Sequence, residues 1–119
     1  LVEDNATQAA LFAEALGVAG FRVELARNGL EALEKAPQVD PDVVVMDVQM
    51  PGLDGLEATR RLRSDAAFRE TPVVALTALV MPGDRERCQA AGVDEYLAKP
   101  VPLAELVATV SRFARRRTP

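Results

Sequence analysis

Histidine is absent from this chain, and cysteine occurs once. Without histidine there is no Ser-His-Asp or Cys-His arrangement and no imidazole ligand for a metal. Acid–base chemistry is left to carboxylates, lysine or tyrosine, and a metal would have to be held by oxygen: Mg2+, Mn2+ or Ca2+. The single Cys88 excludes an internal disulfide, fits a reducing compartment, and reads as a small helix residue. No apolar run approaches the roughly 18 residues of a membrane span. No signal peptide is visible, although the chain opens abruptly enough for a leader to have been removed. Net charge is −4, which argues against nucleic acid as a direct partner. The one basic cluster, Arg112, Arg115, Arg116 and Arg117, reads as charge at a helix C-terminus or a solvated tail rather than a phosphate or membrane contact.

What is present suits one domain: 119 residues, 49% apolar. Apolar runs alternate with helical patterns five times. The strand candidates are Leu1–Val2, Phe21–Leu25, Val43–Met46, Val73–Leu76 and Glu95–Leu97, and the helix candidates are 6–19, 29–36, 55–64, 83–91 and 103–115. Leu103, Leu106, Val107, Val110 and Phe113 keep i, i+3, i+4, i+7 spacing, which makes the last helix the clearest. Asn5 with Gln8, and Asn28 with Glu31, resemble capping boxes, while Gly20 and Gly92 stand where a left-handed helix stop is wanted. Asn28-Gly29 is also a hairpin signal, but the helical pattern after it argues against that. Strict alternation of strand and helix predicts an α/β fold, a parallel sheet with helices on both faces.

The chemistry gathers at strand ends. Val43 to Met46 is an apolar run of the kind buried on both sheet faces, and it stops at Asp47, shortly before Pro51, Gly52 and Gly55. The other candidate strands end in Glu3-Asp4, Thr77-Ala78 and Lys99-Pro100. All would lie on the carboxyl edge of a parallel sheet, where open α/β sheets keep their ligands. Three acids on neighbouring strands, about 4.8 Å apart, repel one another unless a divalent cation binds among them. Lys99 supplies a positive charge and Thr77 a hydroxyl, both suited to phosphoryl oxygens. A carboxylate, a metal, a lysine and a hydroxyl make a phosphoryl-transfer set whose natural product is an aspartyl phosphate. Each residue alone has a plain reading: Asp47 as a turn former, Glu3 and Asp4 as N-cap acids, Thr77 as a strand-end hydroxyl, Lys99 as a solvated lysine. It is their succession at strand ends that is specific.

In order, spacing and strand placement these residues resemble a response-regulator receiver domain of two-component signalling, over essentially residues 1–119 as a single domain. The stretches that carry the resemblance are Val2-Glu3-Asp4-Asn5, Asp47 to Gly55, Pro72 to Ala78, Gly92 to Leu97 and Lys99-Pro100. The resemblance implies a flavodoxin-like, doubly wound five-stranded parallel sheet in the order 2-1-3-4-5, with residues before Leu1 missing from a clipped first strand. It implies that Asp47 accepts a phosphoryl group from a phosphohistidine on a histidine kinase or a histidine phosphotransfer domain. It implies Mg2+ (or Mn2+) at Glu3, Asp4, Asp47 and the Gln49 carbonyl, and phosphoryl contacts from Thr77, the Ala78 amide and Lys99. Tyr96 matches an aromatic switch position, with a half-buried strand-end tyrosine as its plain alternative, and the Lys99-Pro100 bond is expected cis.

The stretches after Asp47, at 57–61 and at 81–88, are most similar to receivers of hybrid histidine kinases. That implies one stage of a phosphorelay, inside a larger multidomain chain, in the cytoplasm, with no nucleic-acid or membrane contact by this domain. Leu79 departs from the Asn that such receivers often carry, and its apolar side chain is expected to slow hydrolysis of the phosphoryl group. Two other classes compete. A Mg2+-dependent phosphatase resembling haloacid dehalogenases would want Asp-x-Asp after the strand, where this chain has Gln49; a phosphate-independent interaction module would not need the complete acid, Thr and Lys set. A flavin-binding relative of the same architecture would want a hydroxyl-rich loop after the first strand, where Glu3-Asp4-Asn5-Ala6 stands instead.

Overall fold

The computed structural model describes residues 1–49, 54–78 and 83–117. The expectations that fall on Met50–Leu53 and on Leu79 lie outside those residues. Three strands, β1 (Val44–Asp47), β2 (Val73–Thr77) and β3 (Glu95–Ala98), form a parallel sheet in that order. Val44 pairs with Val73 and Asp47 with Leu76, and on the other side Val74 pairs with Glu95 and Thr77 with Ala98. Every residue of β1 and β2 is buried, as a parallel sheet covered on both faces requires. Asp47 and Thr77 are the last residues of their strands rather than the first beyond them.

Among the described residues there are five α-helices: α1 (Ala6–Val18), α2 (Gly29–Val39), α3 (Gly55–Ser64), α4 (Asp84–Ala91) and α5 (Leu103–Arg117). None is long and apolar enough to cross a membrane. The caps explain the starts. Asn5, Asn28 and Asp54 each accept a hydrogen bond from the amide three residues on, at 2.9, 2.8 and 2.9 Å. Asn28-Gly29 therefore opens a helix, not a hairpin. Gly92 ends α4 at φ +100, the left-handed stop its position suggested. Helix α2 runs three residues past its expected end at 36. Pro37 sits inside it, and Asp40, at φ 50, closes it with its amide on the Ala36 carbonyl. A single-turn 3-10 helix at Ala66–Phe68, which the sequence had not suggested, follows α3.

Strand alternation divides the core into two faces. Val45, Val74, Leu76 and Leu97 pack with Phe12 and Leu16 of α1 and Leu106, Val110 and Phe113 of α5. Val44, Met46 and Val73 face the other way, onto Ala32 and Ala36 of α2 and Ala58 and Leu62 of α3. Leu56 of α3 packs there with Cys88 and Ala91 of α4.

The two N-terminal strands expected from the sequence are reduced to a bridge. Val2 pairs in parallel with Ala26 on one side and Met46 on the other. Hydrogen bonds from Ala26 to Leu1, Glu3 to Ala26, Val2 to Val45 and Asp47 to Val2 (2.9, 3.0, 2.7 and 3.0 Å) make the pairing two-sided. Phe21–Leu25 is not a strand. Its far end is tied in by the Leu1 ammonium, which donates to the Glu24 carbonyl at 3.0 Å beside the Val2–Ala26 bridge.

Candidate functional site

The carboxyl edge brings Glu3, Asp4 and Asp47 together, each offering a carboxylate oxygen within 4.8 Å of the others. Glu3 and Asp47 are buried, 3% and 1% exposed, and Asp4 is open to solvent. The N-cap alternative for the two N-terminal acids falls away, because Asn5 takes that role for α1. Both acids are thereby left for the cleft.

Lys99 arrives from the end of β3. Its amide donates to the Thr77 carbonyl at 2.8 Å, and its ammonium reaches Asp47 Oδ1 at 2.8 Å. The Gln49 amide donates to the same Oδ1 at 3.0 Å. The Lys99–Pro100 bond is cis. Alternation accounts for the company Asp47 keeps. Val2 packs on the α2–α3 face, so Glu3 turns to the other face, shared by Val45 and Leu97 and hence by Asp47 and Lys99.

Thr77 and Tyr96 have the opposite parity. Since Leu76 and Leu97 face α1 and α5, Thr77 and Tyr96 leave the sheet toward α3 and α4. Thr77 is buried and Ala78 half-buried beside it. Tyr96 is half-buried with the Arg85 guanidinium 5.3 Å from its ring centre. The sequence-expected residues thus form two groups: an acid–lysine cluster on one face, and a threonine–tyrosine pair on the other, joined at the ends of β2 and β3.

The cluster is electrostatically unfinished. Glu3 Oε2 accepts from the Asn5 amide at 3.2 Å, but Oε1 is buried without any hydrogen-bond partner. Burial first, and the neighbouring Asp47 next, push the Glu3 carboxyl up from 4.5 to about 7. A buried anionic oxygen with no donor is costly. Three oxygen donors converging on it are the ligand chemistry of a hard divalent cation. The donor set therefore fits Mg2+ or Mn2+.

Two residues have structural roles that the sequence did not reveal, one beside the site and one far from it. A Cβ on Gly55 would run into the Asp47 carbonyl and the Met46 side chain, so only glycine lets α3 start against the end of β1. The Gly55 amide donates to the Val48 carbonyl at 3.2 Å, fixing that approach. The available signal was Asp54-Gly55 at a helix start, which marks a turn but not a close contact. Arg63 is the second, at the far edge of the sheet. It donates to the carbonyls of Gly92, Phe68 and Thr71 and to Asp94 Oδ2, at 3.0, 2.8, 2.6 and 2.7 Å. Nothing in its local sequence distinguishes it from Arg60 or Arg61.

Comparison with known proteins agrees with this geometry. Residues 1–111 match the family model described as the response regulator receiver domain. The chain is 38% identical over 113 residues to the polar-differentiation response regulator DivK of Brucella anthropi, covering 95% of this chain and 92% of that protein. Among solved structures, the signal receiver domain of a signal transduction histidine kinase from Syntrophus aciditrophicus superposes with a TM-score of 0.91 at 35% identity, covering 99% of this chain and 91% of that one. The receiver domain of a sensor histidine kinase from Pseudomonas aeruginosa PAO1 has a TM-score of 0.87 at 39% identity, covering 96% and 93%. Its structure was determined with a magnesium ion coordinated in the active site cleft.

Proposed function

Because the chain belongs to the response regulator receiver family, with its flavodoxin-like parallel sheet and helices, we propose that Asp47 is its phosphoacceptor. Residues 1–119 act as one receiver domain in a two-component pathway. A carboxylate oxygen of Asp47 attacks the phosphorus of a phosphohistidine on a histidine kinase or histidine phosphotransfer partner. The P–N bond breaks, the imidazole leaves with a proton, and an acyl phosphate forms on Asp47.

The observation that carries this reading is the buried Asp47 held by Lys99 at 2.8 Å inside a cluster with Glu3 and Asp4. Lys99 and the Gln49 amide both engage Oδ1, which leaves Oδ2 as the oxygen for attack. Glu3, Asp4, Asp47 and the Gln49 carbonyl would hold Mg2+, or Mn2+. Such a cation, when bound, neutralises charge gathering on the transferring phosphoryl oxygens. Lys99 shares that task, and the Thr77 hydroxyl and Ala78 amide take the remaining oxygens. Thr77 moving toward the phosphoryl group draws Tyr96 after it and alters the face that a partner reads, a local charge event biasing a two-state element.

The two-sided pairing of Val2 supports a sheet of five strands in the order 2-1-3-4-5. The likeness to histidine-kinase receivers supports a place in a larger multidomain chain, as a phosphorelay stage on the cytoplasmic side. The domain catalyses its own phosphoryl transfer and loss but turns over no separate substrate, and it contacts neither nucleic acid nor membrane directly. Incubation with a small phosphodonor and Mg2+ tests the reading. The wild type acquires an acid- and base-labile label and Asp47→Ala acquires none; undiminished labelling of the variant overturns the assignment.

A further inference from the structure

Arg85 lies in the first turn of α4, exposed, with its guanidinium 5.3 Å from the centre of the Tyr96 ring. It is a contact between α4 and the strand beside it. α4 is eight residues long and buries only Asp84, Cys88 and Ala91, and its N-cap, Gly83 at φ +91, makes no side-chain cap bond. The helix also follows the segment that leaves Thr77 and Ala78. Tyr96, for its part, shares a sheet face with Thr77, whose pairing partner Ala98 is two residues along the same strand. The ring therefore borders the space into which any movement of Thr77 must propagate.

From this arrangement we infer that Arg85 is a latch. Its cation, stacked on Tyr96, holds the ring on the α4 side of β3 and so favours the resting arrangement of the Thr77–Tyr96 face. This rests on the reading of Asp47 as phosphoacceptor and extends it to a residue outside the acid–lysine cluster. A contact made in one of two states lowers the affinity of any ligand that favours the other, by the same factor. An exposed cation–π contact corresponds to about two- to fivefold in such an equilibrium. Arg85 thus sets how readily the phosphorylated arrangement is reached, without touching the phosphoryl group.

The chain offers its own probe. It contains one tyrosine and no tryptophan, so intrinsic tyrosine fluorescence reports Tyr96 alone. Beryllium fluoride with Mg2+ serves as the phosphoryl analogue, and its binding to the wild type, but not to Asp47→Ala, is first established by thermal shift. Arg85→Ala is then expected to bind the analogue about two- to fivefold more tightly. Its unliganded Tyr96 emission should lie part of the way toward the liganded spectrum. Arg85→Lys, which keeps a cation, should stay nearer the wild type in both respects. Equal or weaker affinity in Arg85→Ala, with normal binding by the wild type, overturns the latch and leaves the phosphoacceptor reading standing. Failure of the wild type to bind the analogue overturns both.

Discussion

The two edges of the sheet each carry an ion pair, and they are built to opposite ends. At the amino edge Arg63 meets Asp94 at 2.7 Å, and every neighbouring demand is met: the arginine also feeds three backbone carbonyls, and Asp94 Oδ2 accepts the Val73 amide at 2.8 Å. One side chain closes the end of α3, the 3-10 turn, the start of β2 and the approach to β3. Its planar fork of donors suits this bridging, which a lysine could not reproduce. At the carboxyl edge Lys99 meets Asp47 at 2.8 Å, but beside them a buried glutamate oxygen has no donor. The first pair is saturated and behaves as a fastener. The second leaves negative charge uncompensated, which is a cost in the free protein and an attraction for a cation. Saturation, rather than burial or ion pairing as such, separates the pair that fastens the fold from the pair proposed to carry the chemistry.

Breaking the saturated pair is expected to have the largest effect on stability. Arg63→Ala leaves three carbonyls and a carboxylate short of their donor, and should lower unfolding free energy by about 3 kcal/mol. Denaturant melts would read this, while phosphodonor labelling of the folded fraction persists. A loss of labelling that exceeds the loss of folded protein would erase the division between the edges.

The unsaturated edge should show itself through pH. Glu3 has its folded carboxyl raised from 4.5 to about 7, so the folded state holds a proton that the unfolded chain has released. The stability it contributes is present below about pH 4.5, falls as pH rises, and is lost above about pH 7. Without divalent cation, Glu3→Gln should therefore be more stable than the wild type at pH 8, by at most about 3 kcal/mol, and nearly equal to it at pH 4.5. A difference that does not change between those pH values would contradict the unfinished site.

Mg2+ should act in the same place with a smaller effect. At tenfold its dissociation constant it stabilises the wild type by about 1.4 kcal/mol, more at pH 8 than at pH 5, where protons compete for the carboxylates. Thermal melts of wild type and Asp47→Ala side by side would localise the effect; an equal Mg2+ shift in both places the ion elsewhere. The smallest change sharpens the comparison by staying at the carboxyl edge but off the cluster. Asn28→Ala removes the α2 cap and should cost about 1 kcal/mol, with Mg2+ response and labelling intact.

Much of this was legible in the chain because it depends on short-range rules. α3 begins and ends where its pattern puts it, at Gly55 and Ser64. The Asn5 and Asn28 caps bond as their spacing implied. The identities gathered at the carboxyl edge followed from strand ends alone. What failed to read was equally physical. Residues 21–25 have strand composition, yet only Ala26 just beyond them bridges to Val2. The helix expected to end at 36 runs on through Pro37 to Val39 and is closed by Asp40 in the left-handed conformation. Arg63 sits among other arginines, and its four acceptors come from distant segments.

By itself, the sequence determined which segments are helices, where they start, and which side chains finish the strands. Periodicity, capping and turn chemistry act over a few residues and need no partner. Only the tertiary structure decided that Lys99 meets Asp47 across 52 residues of chain. Only it decided that Glu3 is left with an orphan oxygen, and that Thr77 and Tyr96 fall on the face opposite the acids. These depend on which strands adjoin and in what register, and that is settled by burying both faces of the sheet at once.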